Sequence, residues 1–220
     1  HLSFIMDGNN RWSKKNNKSL YEAYSAGAKK LLAISSYVFN NYDINFISAF
    51  ALSKKNLNRS SALIKTLKKV LEYFLDHQSD LLNRNFQILF KGDFSFLDKN
   101  FIAKIHSLEK NNPNSKKKLI IYINYSGKED IIKSCNDYYS FNSNKKITDI
   151  SIKKNLYSKD FPDPDILIRT GGYQRISDFM LYQISFTELM FTKKLWPDIS
   201  NTDLNNFIKK YFKIERKFGL

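Results

Sequence analysis

Short apolar runs rich in β-branched and aromatic residues recur at 2–6, 46–52, 86–90, 119–124 and 166–169, and segments of a different period separate them. Leu63, Ile64, Leu67, Val70, Leu71, Phe74 and Leu75 step by three and four, which is one face of a 3.6-residue helix. Residues 20–40 and 101–109 read as helices on weaker periodicity, and 201–217 as a final helix. Ser60, Asp98 and Asn201 are the expected N-caps. Strands alternating with helices predict an α/β fold with a mostly parallel central sheet flanked by helices and right-handed crossovers. A chain of 220 residues is long enough for one sizeable core. The linker-like stretches 111–118 and 142–146 are too short to divide it, so a single domain over 1–220 is expected.

Composition then removes several classes of function. No run approaches the ~20 apolar residues that a bilayer crossing needs. The nearest, 31–52, is interrupted by Asn40, Asn41, Asp43 and Asn45. No signal-peptide pattern opens the sequence, so a cytoplasmic location is expected. A lone Cys135 excludes an intrachain disulfide framework, and three scattered histidines with one cysteine do not assemble a typical zinc site. The formal charge of +15 raises nucleic acid or an anionic membrane surface as partners. However, the chain is crowded with Lys, Asn, Ile, Phe and Tyr, and lysine serves as its default surface cation. Runs such as Lys116-Lys117-Lys118 then read as solvated faces. There is no readable nucleic-acid motif, and the aromatics mostly fit core spacing, so no nucleic-acid partner is expected.

Arginine is used differently. Six arginines stand among 36 basic residues, leaving 36 − 6 = 30 lysines. Arg11, Arg59, Arg169 and Arg175 all fall in polar segments shortly after strand-like runs. A guanidinium fork matches phosphate or carboxylate geometry as an ammonium cannot, so this placement points to an anionic ligand shared among loops. In an α/β fold such loops gather on one rim of the sheet.

Two blocks carry the chemistry. In FIMDGNNRW, Asp7 directly after a strand is a hard-oxygen ligand suited to Mg2+. Gly8 allows close backbone approach, and the following N–H groups with Arg11 suit phosphate oxygens. Taken alone, DGNNR is better explained as a turn with an ordinary surface ion pair. In DPDILIRTGGYQRIS, two arginines six apart flank a Gly-Gly turn, with the Ser177 hydroxyl two residues on, an arrangement that suits a diphosphate. Glu188 lies within an otherwise apolar stretch, where a carboxylate is paired, capping or metal-bound.

These blocks, together with SKKNLNR at 53–59, FTELMFTKKLWPDI and the closing ERKFG, resemble the cis-prenyltransferases of the undecaprenyl diphosphate synthase type. The likeness runs from His1 to Gly219 with motifs in the family's order, and DGNxRW, IRTGGxxRxSxF and E-L-x-F are specific as a set. The resemblance implies a single α/β domain, a homodimer, and an apolar tunnel between sheet and helices. It implies condensation of isopentenyl diphosphate onto an allylic diphosphate such as farnesyl diphosphate, to give a long polyprenyl diphosphate. Asp7 would hold Mg2+; Gly8, Asn9, Asn10 and Arg11 would surround the allylic diphosphate, assisted by Arg59, and Trp12 is counted in this substrate-binding set, with packing under the loop as its default role. Arg169, Arg175 and Ser177 would grip isopentenyl diphosphate, and Glu188 would lie on the metal side. Ser53 and Asn56 match a closing loop implicated in proton removal, and the face Leu63, Leu67, Val70, Leu71 and Phe74 would line the tunnel, with ordinary core packing the open alternative for most of them. Transient contact with the inner membrane face is expected for product release. The chain departs from the family at Leu20, Tyr24, Lys55, Leu57, Tyr182 and Lys217. A low-activity or partner-dependent subunit is therefore the alternative expectation.

Overall fold

The computed structural model describes residues 1–57, 61–76, 85–142 and 146–215. Six strands form one sheet: β1 (Leu2–Ile5), β2 (Phe46–Ser53), β3 (Gln87–Gly92), β4 (Lys118–Tyr125), β5 (Ile166–Arg169) and β6 (Glu188–Phe191). Their order is β3-β4-β2-β1-β5-β6, and every neighbouring pair is parallel. The central strands β1 and β5 are buried along their whole length, as expected for strands covered on both faces.

Around the sheet lie α1 (Asn9–Lys15), α2 (Leu20–Asn41), α3 (Lys54–Leu57), α4 (Ser61–Asp76), α5 (Lys99–Glu109), α6 (Gly127–Phe141), α7 (Asp149–Lys153) and α8 (Asn201–Tyr211), with a 3-10 turn at Trp196–Asp198. The period-2 alternation of the strands sorts the core into two faces. Leu2, Phe4, Leu119, Ile123, Ile166 and Ile168 join the larger cluster with α2, α4 and α5. Ile5, Ile120, Tyr122 and Leu167 join a smaller one with Tyr125, Phe179 and Met180.

The expected strands and helices are present, with differences at their edges. Asp98 caps α5 by accepting from the Phe101 N–H, but Ser200, not Asn201, caps α8. That helix stops at Tyr211, where the chain turns off through a Lys213 N–H bond to Lys210 O. Residues 9–15 form a helix rather than an open loop, because Gly8 (φ 118°) lets the chain turn directly out of β1 into it. β6 and α6 are further elements that periodicity alone did not mark. The expected cap Ser60 lies outside the described residues.

Strand order also fixes where a ligand can enter. β1 leads through α2 to β2 on one side of it, whereas β5 leads to β6 on the other. The carboxyl ends of the adjacent pair β1 and β5 therefore flank the switch point, where loops diverge and leave a crevice.

Candidate active site

Asp7 follows β1 and Arg169 ends β5, so the switch point places a carboxylate beside a guanidinium. Arg169 Nη2 donates to Asp7 Oδ2 at 2.9 Å, and Arg11 Nη2 donates to Asp7 Oδ1 at 3.1 Å. Arg11 lies one helical turn beyond Asp7, and its Nη1 donates to Gly171 O at 2.6 Å. Arg169 is buried, and its Nη1 donates to Ser177 Oγ at 2.6 Å and to the Arg175 carbonyl. Arg169 Nε is buried without a partner among the described residues. Two guanidiniums share this carboxylate and that of Arg175 stands at the same mouth, so three arginines against one carboxylate give a formal balance of 3 − 1 = +2. Such a site is electrostatically prepared for an anion.

The Gly-Gly loop is held from below. Gly171 and Gly172 have φ of 82° and 85°, and their N–H groups donate to Lys194 O and Thr192 O at 2.7 and 2.8 Å. Ser177 and Asp178 also adopt left-handed backbone, with φ of 50° and 68°. Asp178 anchors them, accepting from Ser126 Oγ at 2.6 Å and from the Lys128 N–H at 3.1 Å at the start of α6.

Behind the charged rim opens a cavity of about 1160 Å³. Its mouth carries Asp7, Gly8, Asn9, Asn10, Arg11, Arg169, Arg175 and Ser177. Deeper, its wall is apolar: Phe50 and Leu52 of β2, Ile88 and Phe90 of β3, Ile121 and Ile123 of β4, and Leu67, Val70, Leu71 and Phe74 of α4. Four of the five residues expected to supply a helical tunnel wall therefore do line it; the Leu63 side chain lies outside the described part. Ser53 reaches the rim past a break in the β2–β4 register, where Leu52 pairs with Ile123 and Ser53 with Tyr125.

The departures Leu20, Tyr24 and Lys55 line the same cavity. Burial, reinforced by the charge of Asp7, pushes the Tyr24 hydroxyl above its ordinary range, so it stays a neutral donor.

Two expected site residues are placed elsewhere. Trp12 does not face the cavity; its Nε1 donates to Asp198 Oδ1 at 2.7 Å. The indole is held instead against the 3-10 turn at Trp196–Asp198, on which α1 packs. Glu188 opens β6 in register with Ile166, whereas Phe191 at the strand's end pairs with Arg169. That is three strand steps, roughly 10 Å, from the rim. Within one chain, Glu188 does not join Asp7. Arg59 and Lys217, with the side chains of Asn56 and Leu57, lie outside the described part.

Among the described residues, the acids on the cavity wall are Asp7 and Asp178, and Asp178 is already engaged at α6. Among the described residues, no group of three or more His, Cys, Asp or Glu is arranged to hold an ion. A single carboxylate at an anion site fits a hard cation such as Mg2+, which takes its remaining ligands from phosphates and water. Nor is any described helix long and apolar enough to cross a membrane.

A cationic rim over a deep apolar cavity suits an amphiphile with an anionic head and a hydrocarbon tail, and comparison with known proteins gives the same chemistry. Residues 5–219 match the family model described as "Putative undecaprenyl diphosphate synthase". An isoprenyl transferase of Rickettsia typhi is 35% identical over 221 residues, covering 100% of this chain and 97% of that protein. Dehydrodolichyl diphosphate synthase 4 of Arabidopsis thaliana is 32% identical, covering 100% and 78%. The crystal structure of lavandulyl diphosphate synthase from Lavandula x intermedia, in complex with dimethylallyl diphosphate, superposes with a TM-score of 0.91 at 29% identity, covering 100% and 98%. With its motifs, its fold and nearly its whole length in common with these enzymes, the chain belongs to the undecaprenyl diphosphate synthase family of prenyltransferases.

Proposed function

We propose that this prenyltransferase carries out Mg2+-dependent cis-prenyl chain elongation, condensing isopentenyl diphosphate onto an allylic diphosphate such as farnesyl diphosphate. The product would be a long polyprenyl diphosphate of the kind that serves as the C55 carrier in cell-wall synthesis. One observation carries the reading: Asp7 and three arginines stand at the mouth of an apolar cavity of about 1160 Å³. Pockets for drug-sized ligands run to about 1,000 Å³, so this cavity suits a chain longer than the substrates.

Asp7 would hold Mg2+, which when bound offsets the charge that grows on a leaving diphosphate. Arg11, with Gly8, Asn9 and Asn10, would position the allylic diphosphate, and Tyr24 would donate a neutral hydrogen bond to it. Arg169, Arg175 and Ser177 would orient isopentenyl diphosphate, so that its nucleophilic carbon meets the allylic carbon. The loop from Ser53 through Asn56 and Arg59 would close over the reacting carbons, and the apolar wall would keep water from the allylic cation. A homodimer accords with β6, an edge strand that carries exposed Leu189 beside exposed Phe186. Product release to the inner membrane face, from a cytoplasmic enzyme, accords with the basic surface.

The deciding experiment is chromatography of products after incubation with farnesyl and isopentenyl diphosphates plus Mg2+; absence of polyprenyl products would sink the reading. Asp7→Asn should lower kcat/KM by about a hundredfold or more. Asparagine is the better probe. Asp7→Ala would strand the buried Arg169, and breaking a buried pair costs about 3–5 kcal/mol. A second reading, a partner-dependent subunit, is favoured by Lys55, Leu20 and Tyr24 on the cavity wall. Conversion of radiolabelled isopentenyl diphosphate by the purified chain alone would eliminate it.

A further inference from the structure

Tyr173 occupies a position that the family motif leaves unspecified, yet three cations surround its ring. The guanidinium carbons of Arg175, Arg11 and Arg169 lie 4.3, 5.1 and 5.7 Å from the ring centroid. All fall within the ~6 Å over which a cation is attracted to an aromatic face. The three arginines are not equally dependent on that ring. Arg169 is buried and tied to Asp7, Ser177 and the Arg175 carbonyl, and Arg11 is tied to Asp7 and Gly171. The Arg175 guanidinium is exposed, and among the described residues it has no carboxylate within ion-pair distance; the Tyr173 ring is its contact.

We infer that Tyr173 is a positioning residue: its ring gathers the diphosphate-binding guanidiniums, Arg175 above all, before the anion arrives. Like charges held together without a counterion repel, and an unrestrained arginine would swing into water. Ordering it on binding would then weaken the grip on diphosphate. The ring supplies an electron-rich face against which Arg175 stacks while its N–H edges stay open to phosphate oxygens. This inference rests on the diphosphate reading of the site. Because the ring need not touch the reacting carbons, it acts on ground state and transition state alike, which raises affinity without altering the chemical step.

The test uses the whole chain, with inorganic pyrophosphate binding by calorimetry and steady-state kinetics with isopentenyl diphosphate. Tyr173→Ala and Tyr173→Leu should each weaken pyrophosphate and raise KM about tenfold while kcat stays within about twofold. Leucine keeps the bulk and loses the π face, whereas Tyr173→Phe keeps the face and should retain wild-type affinity. In an Arg175→Gln background, the Tyr173→Ala change should have little further effect, because its path runs through that arginine. The inference is overturned if leucine matches tyrosine, if phenylalanine fails like alanine, if kcat falls instead of affinity, or if the two changes are additive. A wild-type chain that neither binds pyrophosphate nor condenses substrates overturns the diphosphate reading itself. That outcome is distinct from a working wild type indifferent to Tyr173.

Discussion

At the scale of single residues, the site is built on Asp7, and each of its acceptors has an assigned partner. Its carboxylate oxygens serve Arg11 and Arg169, while its backbone carbonyl accepts from Thr170 Oγ1 at 2.7 Å and the Trp196 N–H at 3.1 Å. Gly171 makes this crowding possible. A Cβ there would lie 2.4 Å from Arg11 Nη2 and 3.1 Å from the Asp7 carbonyl oxygen, on backbone with φ 82°. Gly171→Ala should therefore expel Arg11 from its place and also strain the turn by about 1–2 kcal/mol. A rise of about tenfold in KM for the allylic diphosphate is expected, with a lower melting temperature. A variant with wild-type KM would show that Arg11 is not held where the site needs it. The arginines were legible in sequence because the chain uses lysine wherever charge alone suffices, so each exception carries information. Trp12 and Glu188 were not, because one is placed by a bond to Asp198, far along the chain, and the other by a long-range strand register.

At the scale of elements, α2 shows how the residue at one helix position answers to the needs of the site. Its start is secured locally: the Ser19 side chain accepts from the Glu22 N–H while Glu22 returns a bond to the Ser19 N–H. Mid-helix Gly27 has no such local logic, since glycine there costs about 1 kcal/mol relative to alanine. Tertiary packing supplies the reason. A Cβ at Gly27 would stand 2.4 Å from Asn9 Oδ1 and 3.1 Å from the Trp196 ring, whose Nε1 donates to the Gly27 carbonyl at 2.8 Å. Gly27→Ala thus sets a gain in helix propensity against displacement of Asn9 from the cavity mouth. The melting temperature should change little, because the gain of about 1 kcal/mol and the steric loss oppose each other. Affinity for farnesyl diphosphate should fall severalfold. An unchanged KM with a raised melting temperature would show that Asn9 plays no part in binding. Nothing in the sequence around residue 27 announces this contact, because its partners come from α1 and from the turn before α8.

At the scale of the whole molecule, the two faces of the sheet divide the work. One holds the cavity; the other carries a polar knot that supports the substrate loop from behind. In that knot Asp130 of α6 accepts from Tyr125 Oη at 2.9 Å and from the Tyr157 N–H at 3.0 Å, and α6 begins where Asp178 anchors the Ser177 loop. Alternating strands and helices announced the layers and the rim, but not this knot, which joins Tyr125 and Asp130 to Tyr157 and Asp178, further along the chain. Burial raises the Asp130 carboxyl above its ordinary 3.8, outweighing the hydrogen bonds from Tyr157 and Tyr125 that favour the ionised form. The sign follows directly. A carboxyl with a raised folded-state pKa binds its proton more tightly folded than unfolded. Its contribution to stability is therefore full below 3.8 and is lost as pH rises through the raised value. Asp130→Asn keeps an acceptor for the Tyr157 N–H and removes the buried ionisation. The difference in melting temperature between variant and wild type should thus move in favour of asparagine from about pH 4 to about pH 7. A difference that stays flat across that range would mean that the ionised carboxylate is fully compensated where it lies. If the variant instead loses ground as pH rises, the charge itself holds α6, and with it the loop that carries Ser177.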